Sequence, residues 1–304
     1  MTDSRARLQR LLKLNALLTH AAMTTSARRL LHGPQQMTWT WYFELFVELM
    51  NSGTPSDDAL TADDIRAALE VFDDMPLPPE VTISPALAGG VPGLWFDQPD
   101  AQPERVLLYL HGGGYVGGSP LTHRLLIAEL GRVCRMRVLA LDYRLAPEAR
   151  FPAAVEDAWA AYWWLLDQGM AAESIAVGGD SAGGGLAMVL LLALRDAGVP
   201  RPAAGFGMSP WLDLTLSGAS MRTNAKSDYL NPMVLRRSAE LYLDGHDIRD
   251  PLASPLFGDL HDLPPLLFDR RGQLGGLLLC NSQLLLRVLQ QGLQLFDRVG
   301  HILL

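Results

Sequence analysis

Apolar strand-like segments alternate with helix-like segments through the middle of this 304-residue chain. The run RVLLYLH at 105–111 and the run RVLALDYR at 137–144 are separated from SIAVGGD and PAAGFGMSP by helical stretches such as PAAVEDAWAAYWWLLDQG. Strands that alternate with helices pair in parallel and use the helices as crossovers. The pattern therefore predicts an α/β fold with a mostly parallel sheet.

Two helical segments stand apart from this pattern. Four leucines among residues 8–18 recur at helical spacing, and LTADDIRAALEVF begins with a threonine N-cap before acidic residues. After EVTIS and GLWFD, which predict a hairpin, the sheet pattern runs on until a second helical segment at about 214–246. We predict an N-terminal helical cap at 1–75 and a catalytic domain at 76–304. The segment at 214–246 would complete the cap as a helical lid.

Composition argues against several classes of function. The net charge is −8 and no basic stripe is present, so we expect no nucleic-acid partner. Cys134 and Cys280 are too few for a disulfide framework and too far apart for a short metal-binding spacing, which favours a reducing cytoplasm. The N-terminus does not have the pattern of a signal peptide, and no run of about 18 apolar residues predicts a membrane span.

A serine between glycines follows one of the predicted strands. Gly179, Ser181 and Gly183 fit the pattern G-x-S-x-G, in which small neighbours allow a sharp turn from strand to helix. Ligands of open parallel sheets bind beyond the carboxyl ends of the strands, where this turn lies. The pattern predicts a nucleophilic serine, although on its own it is equally compatible with a tight structural turn.

A second glycine-rich stretch, LYLHGGGYVGGSP, follows an earlier strand. Its backbone amides are suited to bind a substrate oxygen, and Gly113 and Gly114 are the best candidates, with Ala182 supplying a third amide. Gly112 allows the backbone to approach closely. We expect His111 to make structural hydrogen bonds there rather than to act as a base.

The same stretch permits a second interpretation. Gly112, Gly114 and Gly117 satisfy G-x-G-x-x-G after a strand, and Asp142 ends the next strand as a ribose-binding acid would. Bulky Tyr115 stands where pyrophosphate would need bare backbone, and this interpretation leaves G-x-S-x-G unexplained. An NAD-binding oxidoreductase is therefore the weaker alternative.

HGGGYVGGS and GDSAGGGLA, separated by DYRLAPEARFPAAVEDA, resemble the bacterial hormone-sensitive-lipase-like family of α/β-hydrolase esterases. The resemblance covers about residues 80–268. It implies an α/β-hydrolase fold with a helical lid, Ser181 as nucleophile and an oxyanion hole from the amides of Gly113, Gly114 and Ala182. Asp180 belongs to the serine motif as a supporting residue. The family also includes homodimers.

A serine nucleophile needs a histidine base, which in this fold follows the serine and the acid along the chain. Only His246, His261 and His301 follow Ser181. His246 lies in the predicted lid and His261 precedes the strand PPLLF. His301 follows a strand-like run, where the family carries its base, and is the predicted base.

The acid departs from the family pattern. After PPLLF the family has glycine, small residues and then a carboxylate, whereas this chain continues DRRGQLGGLLLCNSQ. Asp269 is the best substitute acid, Asp297 is a weaker one, and Gln273 stands near the expected carboxylate. One codon set for residues 270–276, read one base later, encodes Val-Gly-Ala-Ser-Ser-Glu. We therefore hypothesise a local frame slip in this segment.

Taken together, these residues predict a serine carboxylesterase that hydrolyses short to medium acyl esters through an acyl-enzyme intermediate. The expected ligand is a small acyl ester, and neither a metal nor a cofactor is expected. A catalytically impaired protein of the same fold is the alternative that the acid segment raises. Trp39, Trp41, Tyr42 and Phe43 are candidates for lining the acyl pocket.

Overall fold

The computed structural model describes residues 2–35, 39–52, 60–224, 230 and 232–268. The described residues of the N-terminal part include the helices α1 (Thr2–His32), α2 (Trp41–Ser52) and α3 (Ala62–Leu69). Thr61 caps α3, because its hydroxyl accepts the Asp64 amide while the Asp64 carboxylate accepts the Thr61 amide. This reciprocal capping box satisfies two backbone donors and explains why α3 starts there.

Seven strands of the described chain form one sheet in the order β1-β2-β4-β3-β5-β6-β7. β1 and β2 form an antiparallel hairpin and β2 pairs antiparallel with β4, whereas the remaining pairs are parallel. The strands are β1 (Thr82–Ala88), β2 (Val91–Asp97), β3 (Gln102–Leu110), β4 (Met136–Leu141), β5 (Ile175–Asp180), β6 (Ala204–Met208) and β7 (Leu266–Phe268).

Helices cover both faces of this sheet. α4 (Arg124–Cys134), α5 (Ala153–Asp167) and α6 (Ser181–Asp196) pack against its strands. α7 (Ser220–Thr223) and α8 (Pro232–Leu243) follow β6 along the chain. Successive residues of β3 alternate between two apolar clusters, with Leu107 and Tyr109 in one and Leu108 and Leu110 in the other. A strand buried on both faces must be apolar throughout, which is the pattern of RVLLYL.

The predicted α/β fold with a mostly parallel sheet is confirmed, and so is the hairpin. β3 begins three residues earlier than the apolar run, because Gln102 pairs with Met136 ahead of a bulge. The described part of the segment at 214–246 contains one short helix and one of 12 residues, α7 and α8. Within the described ranges, no helix combines the length and apolar character that crossing a membrane requires.

Candidate active site

Ser181 lies at the sharp turn between β5 and α6. Asp180 is the last residue of β5 and has an extended backbone, and Ser181 has a φ of +50° at the first position of α6. A left-handed conformation is costly for a residue other than glycine and persists only where the surroundings impose it. Part of that support comes from the loop after β6, where the Trp211 amide donates to the Ser181 carbonyl oxygen at 2.8 Å. We call residues 179–183 the serine elbow.

Two glycines make this turn sterically allowed. A β-carbon at Gly179 would lie 2.2 Å from the Leu110 carbonyl oxygen, and one at Gly183 would lie 2.0 Å from the same atom. Leu110 and Gly179 are register partners on the parallel strands β3 and β5. The elbow is therefore in direct backbone contact with the end of β3, as G-x-S-x-G requires.

Residues 111–118, which follow β3, form the second part of the site, and we call them the glycine loop. Gly113 and Gly114 have φ values of +124° and +66°. The Gly113 carbonyl oxygen accepts the amides of Val116 and Gly117 and closes the turn. Within the described ranges, the amides of Gly113 and Gly114 donate to no protein group. Two such amides at the carboxyl edge of a sheet are suited to bind an oxygen atom.

Asp180 joins the elbow to the glycine loop. Its Oδ1 accepts the Gly112 amide at 3.0 Å and the Tyr109 hydroxyl at 2.5 Å. Its Oδ2 is 3.4 Å from His123 Nε2. Burial raises the pKa of Asp180, but His123 and the hydrogen bonds outweigh it, so that the net pKa lies below its usual value. This carboxylate is ionised at neutral pH.

His111 makes structural contacts in this arrangement. Its Nδ1 is 2.8 Å from the Gly112 carbonyl oxygen, and its ring stacks on Tyr143 with centroids 4.2 Å apart. The Tyr143 hydroxyl donates to the His111 carbonyl oxygen at 2.6 Å. Burial, and secondarily the neighbouring His123, lowers the pKa of His111 to about 3. The ring is therefore neutral at physiological pH.

Helices from both predicted cap segments contact the glycine loop. In α3, Arg66 Nε donates to the Val116 carbonyl oxygen at 2.9 Å. In α8, Ser238 lies against Gly114, where a β-carbon would be 2.9 Å from the Ser238 Oγ. Tyr115 stacks on Tyr242 of α8 with centroids 4.0 Å apart. The loop is thus held between the sheet and these two helices.

The geometry argues against dinucleotide binding. A pyrophosphate site of that type needs the third glycine to open a helix whose N-terminus faces the phosphates. Here α4 begins at Arg124, seven residues after Gly117. The Gly112 amide is also already used by Asp180. G-x-G-x-x-G therefore does not have the structural context that its dinucleotide interpretation requires.

Several predicted residues lie outside the described residues. These are His301, Asp269, Asp297, Gln273 and the whole segment 270–276. The other two candidate bases are described: His246 Nε2 is 2.7 Å from Asp250, and His261 Nδ1 is 2.5 Å from Asp259. His261 is 91% exposed and pairs within its own turn.

Comparison with known proteins places this geometry in a family. A family model described as the alpha/beta hydrolase fold matches residues 107–270, more than half of the chain. A solved esterase of the bacterial hormone-sensitive lipase family superposes with a TM-score of 0.72 at 45% identity, covering 76% of this chain and 78% of that one. The chain belongs to the hormone-sensitive-lipase-like α/β-hydrolases.

Curated relatives of this hormone-sensitive-lipase-like hydrolase carry related names. An acetyl-hydrolase of Streptomyces hygroscopicus is 51% identical over 201 residues, 66% of each chain. An esterase of Acinetobacter venetianus is 36% identical over 232 residues, 75% of this chain and 76% of its own. The chain thus spans just under two thirds of the length of the acetyl-hydrolase.

Sequence reasoning did not identify two members of this candidate site. Tyr109 and His123 both contact Asp180, and neither belongs to a recognised motif. A usable signal was present for each, because Tyr109 is a polar group near the end of a buried strand and His123 follows the same strand before the next helix. Both positions lie near the sheet edge at which ligands bind.

Proposed function

We propose that this chain is a serine carboxylesterase that hydrolyses small acyl esters. The observation that carries the proposal is the left-handed backbone of Ser181, in an elbow that contacts a loop whose Gly113 and Gly114 amides donate to no group among the described residues. A serine in a strained turn next to a loop with such amides is the arrangement that acyl transfer needs. The esterase names of the relatives support the same class of reaction.

In this proposal the Ser181 hydroxyl attacks the ester carbonyl carbon while His301 accepts its proton. The amides of Gly113, Gly114 and Ala182 stabilise the negative oxygen of the tetrahedral intermediate. Ala182 occupies the first turn of α6, whose N-terminus also favours a developing negative charge. The alcohol leaves with the proton from His301, and water then hydrolyses the acyl-enzyme by the same route.

The proposed substrates are short to medium acyl esters. One relative is named an acetyl-hydrolase, and another, from Pseudomonas putida, is named an ethyl acetate hydrolase. We propose that residues 1–75 and 214–246 form a cap over the glycine loop. The contacts of Arg66 and Ser238 with that loop support this assignment.

The triad acid is the one member of the proposed triad that this sequence does not supply at the family's position. We propose Asp269 as the acid of this sequence and a frame slip in residues 270–276 as the reason that the family's acid is missing. The family match ends at residue 270, where the unusual segment begins. If no carboxylate serves His301, the chain is an impaired hydrolase that binds acyl esters and turns them over slowly.

We further propose that the enzyme is cytoplasmic and forms homodimers. The scarcity of cysteine supports the first assignment, and the family resemblance supports the second. Cell fractionation tests the location, and size-exclusion chromatography with light scattering tests the assembly.

Labelling by a fluorophosphonate tests the proposed nucleophile directly. The full chain is expected to form one covalent adduct at Ser181, identified by peptide mass spectrometry. Ser181→Ala is expected to lose both the adduct and the hydrolysis of p-nitrophenyl butyrate while keeping its melting temperature, since removing a hydroxyl breaks no core packing. Hydrolysis that survives in Ser181→Ala would contradict the proposal.

A further inference from the structure

Two largely buried side chains lie where the serine elbow meets the glycine loop, and the proposed chemistry gives neither of them a role. His123 Nε2 is 3.4 Å from Asp180 Oδ2, and the side chains are 14% and 18% exposed. Asp180 directly precedes Ser181, and its other oxygen accepts the amide of Gly112, which directly precedes Gly113. The Asp180 carboxylate therefore links the residue that precedes Ser181 to Gly112, the residue that precedes Gly113.

Polar groups lie at both ring nitrogens of His123. Its Nδ1 is 2.7 Å from the Thr122 hydroxyl oxygen. That hydroxyl accepts the Ser119 amide and lies 2.8 Å from the Ser119 carbonyl oxygen. Nδ1 thus has the Thr122 hydroxyl and the Ser119 carbonyl oxygen as partners, and Nε2 faces the Asp180 carboxylate. A carbonyl oxygen and a carboxylate are acceptors, so their positions at the two nitrogens favour the imidazolium form, which donates from both.

The groups around His123 are consistent with a cation. Asp180 faces it from β5, and Asp73, which follows the short 3-10 turn at 70–72, adds a second carboxylate. His111, at the end of β3, has its ring centroid 5.7 Å away and is neutral. Burial lowers the pKa of His123, but Asp180 and the Ser119 carbonyl oxygen more than offset it, so the net pKa is raised above 6.5.

We propose that Asp180, held as an ion pair by protonated His123, is a positioning residue that fixes the glycine loop relative to Ser181. This inference rests on the proposed esterase function. Oxyanion donors act only within about 2.7–3.1 Å of the developing charge. A displacement of about 1 Å is enough to lose on the order of 10² in rate. Asp180 sets the position of the glycine-loop amides relative to Ser181, because Asp180 directly precedes Ser181 and its carboxylate accepts the Gly112 amide.

A spectroscopic experiment tests the ion pair without requiring activity. Histidine ring resonances are followed by NMR across pH in the full chain, and the His123 signal is the one that His123→Gln lacks. In the parent chain we expect the His123 ring to keep both protons above pH 6.5. In Asp180→Asn we expect it to lose one proton at a pH about one unit or more below that of the parent chain. A His123 ring that titrates at or below pH 6.5 in the parent chain would overturn the proposed ion pair. So would a His123 titration that is unchanged in Asp180→Asn. His261→Gln, which removes an exposed His–Asp pair, is the matched control.

A kinetic experiment tests the positioning role. Asp180→Asn is expected to lower kcat for p-nitrophenyl butyrate on the order of 10²-fold, with KM changed less than about threefold, as for losing one oxyanion donor. Because His123 acts through Asp180, His123→Gln is expected to cause a smaller loss and to add nothing in the double variant. Asp142→Asn, at the exposed end of the neighbouring strand β4, is expected to match the parent chain.

The outcomes separate this inference from the proposed function. Unchanged kcat in a folded Asp180→Asn, or a loss confined to KM, would overturn the positioning role. If hydrolysis by the parent chain is too slow, the rate of fluorophosphonate labelling of Ser181 gives the same comparison, since that reaction also develops a negative oxygen. Activity that survives in Ser181→Ala would instead remove the proposed function, while the NMR result on the ion pair would stand. If Asp180→Asn does not fold, His123→Gln carries the kinetic test.

Discussion

Gly183 and Leu110 are in direct contact through their backbones: a β-carbon on residue 183 would lie 2.0 Å from the Leu110 carbonyl oxygen and 2.4 Å from that of His111. Neither oxygen can withdraw easily, because Leu110 ends the buried central strand β3 and His111 is the buried residue that follows it. The first turn of α6 is therefore seated on the end of β3 with no space between them.

Gly183→Ala is expected to destabilise the fold strongly. Overpacking of a core typically costs about 1–3 kcal/mol, and a clash with backbone atoms should lie at or above the top of that range. Thermal unfolding followed by circular dichroism measures the loss. Gly218→Ala, whose β-carbon would be 3.7 Å from the nearest atom, is the control and should unfold near the parent temperature. Equal melting temperatures for the two variants would show that the contact is not tight.

Gly114→Val is expected to lower kcat on the order of 10²-fold or more, the scale of losing one oxyanion donor. Its φ of +66° disfavours any side chain, and a β-carbon would also meet Ser238. Steady-state hydrolysis of p-nitrophenyl butyrate measures the effect. Gly90→Val carries the same backbone strain at φ +87°, in the β1–β2 turn with nothing within 4 Å. A kcat equally reduced in both variants would point to strain rather than to the oxyanion amides.

Replacing residues 270–276 with Val-Gly-Ala-Ser-Ser-Glu-Val is expected to raise kcat by about 10³-fold or more. A triad without its acid loses on the order of 10⁴ in kcat, because the histidine is no longer held in the correct tautomer. The matched control is the same replacement with Gln in place of Glu, which should give no such gain.

Asp269→Asn in the unreplaced chain distinguishes the two proposed acids. If the chain as written turns over at about 10 per second, a rate usual for enzymes, and Asp269→Asn abolishes this, Asp269 is the acid. The frame-slip hypothesis would then be wrong about function. Sequencing of the gene across codons 270–276 tests the hypothesis independently of activity.

The His123–Asp180 pair should make stability depend on pH in a defined direction. The pKa of His123 is raised in the folded chain, so its contribution is complete below 6.5 and is lost as pH rises through the folded value. The pKa of Asp180 is lowered, so its contribution is present above 3.8 and is lost as pH falls through the folded value. The melting-temperature difference between the parent and His123→Gln should thus be largest between these limits and shrink at alkaline pH. A difference that stays constant across this range would contradict an ionised pair.

Local pattern was sufficient to predict most of the fold. The uninterrupted apolar run of β3 reflects burial on both faces, and Gly179 and Gly183 reflect a contact that only small residues allow. Each of these constraints determines which residue types are allowed at one position, so it can be recognised in a single sequence. The positions of β5 and α6 on either side of Ser181 followed from the same reasoning.

The His123–Asp180 contact could not be predicted in that way. The two residues are far apart along the chain, and their contact depends on β3 and β5 being neighbours in the sheet. Strand order follows from how the whole sheet assembles, and no short pattern encodes it. The catalytic acid posed the opposite difficulty, because the local pattern itself departs from the family at residues 270–276.

The attachment of α3 also bears on how new substrate preferences could arise in this scaffold. Arg66 donates to the carbonyl oxygens of Val116 and Ala146 and pairs with Glu148, so α3 is attached to the glycine loop and to the loop after β4. Changes to α3 would therefore disturb turnover and selectivity together. α2 instead packs with α1 in a separate apolar cluster that includes Leu45 and Leu49. Mutational libraries in α1 and α2 are therefore expected to leave the Arg66 contacts in place, whereas libraries in α3 would change them.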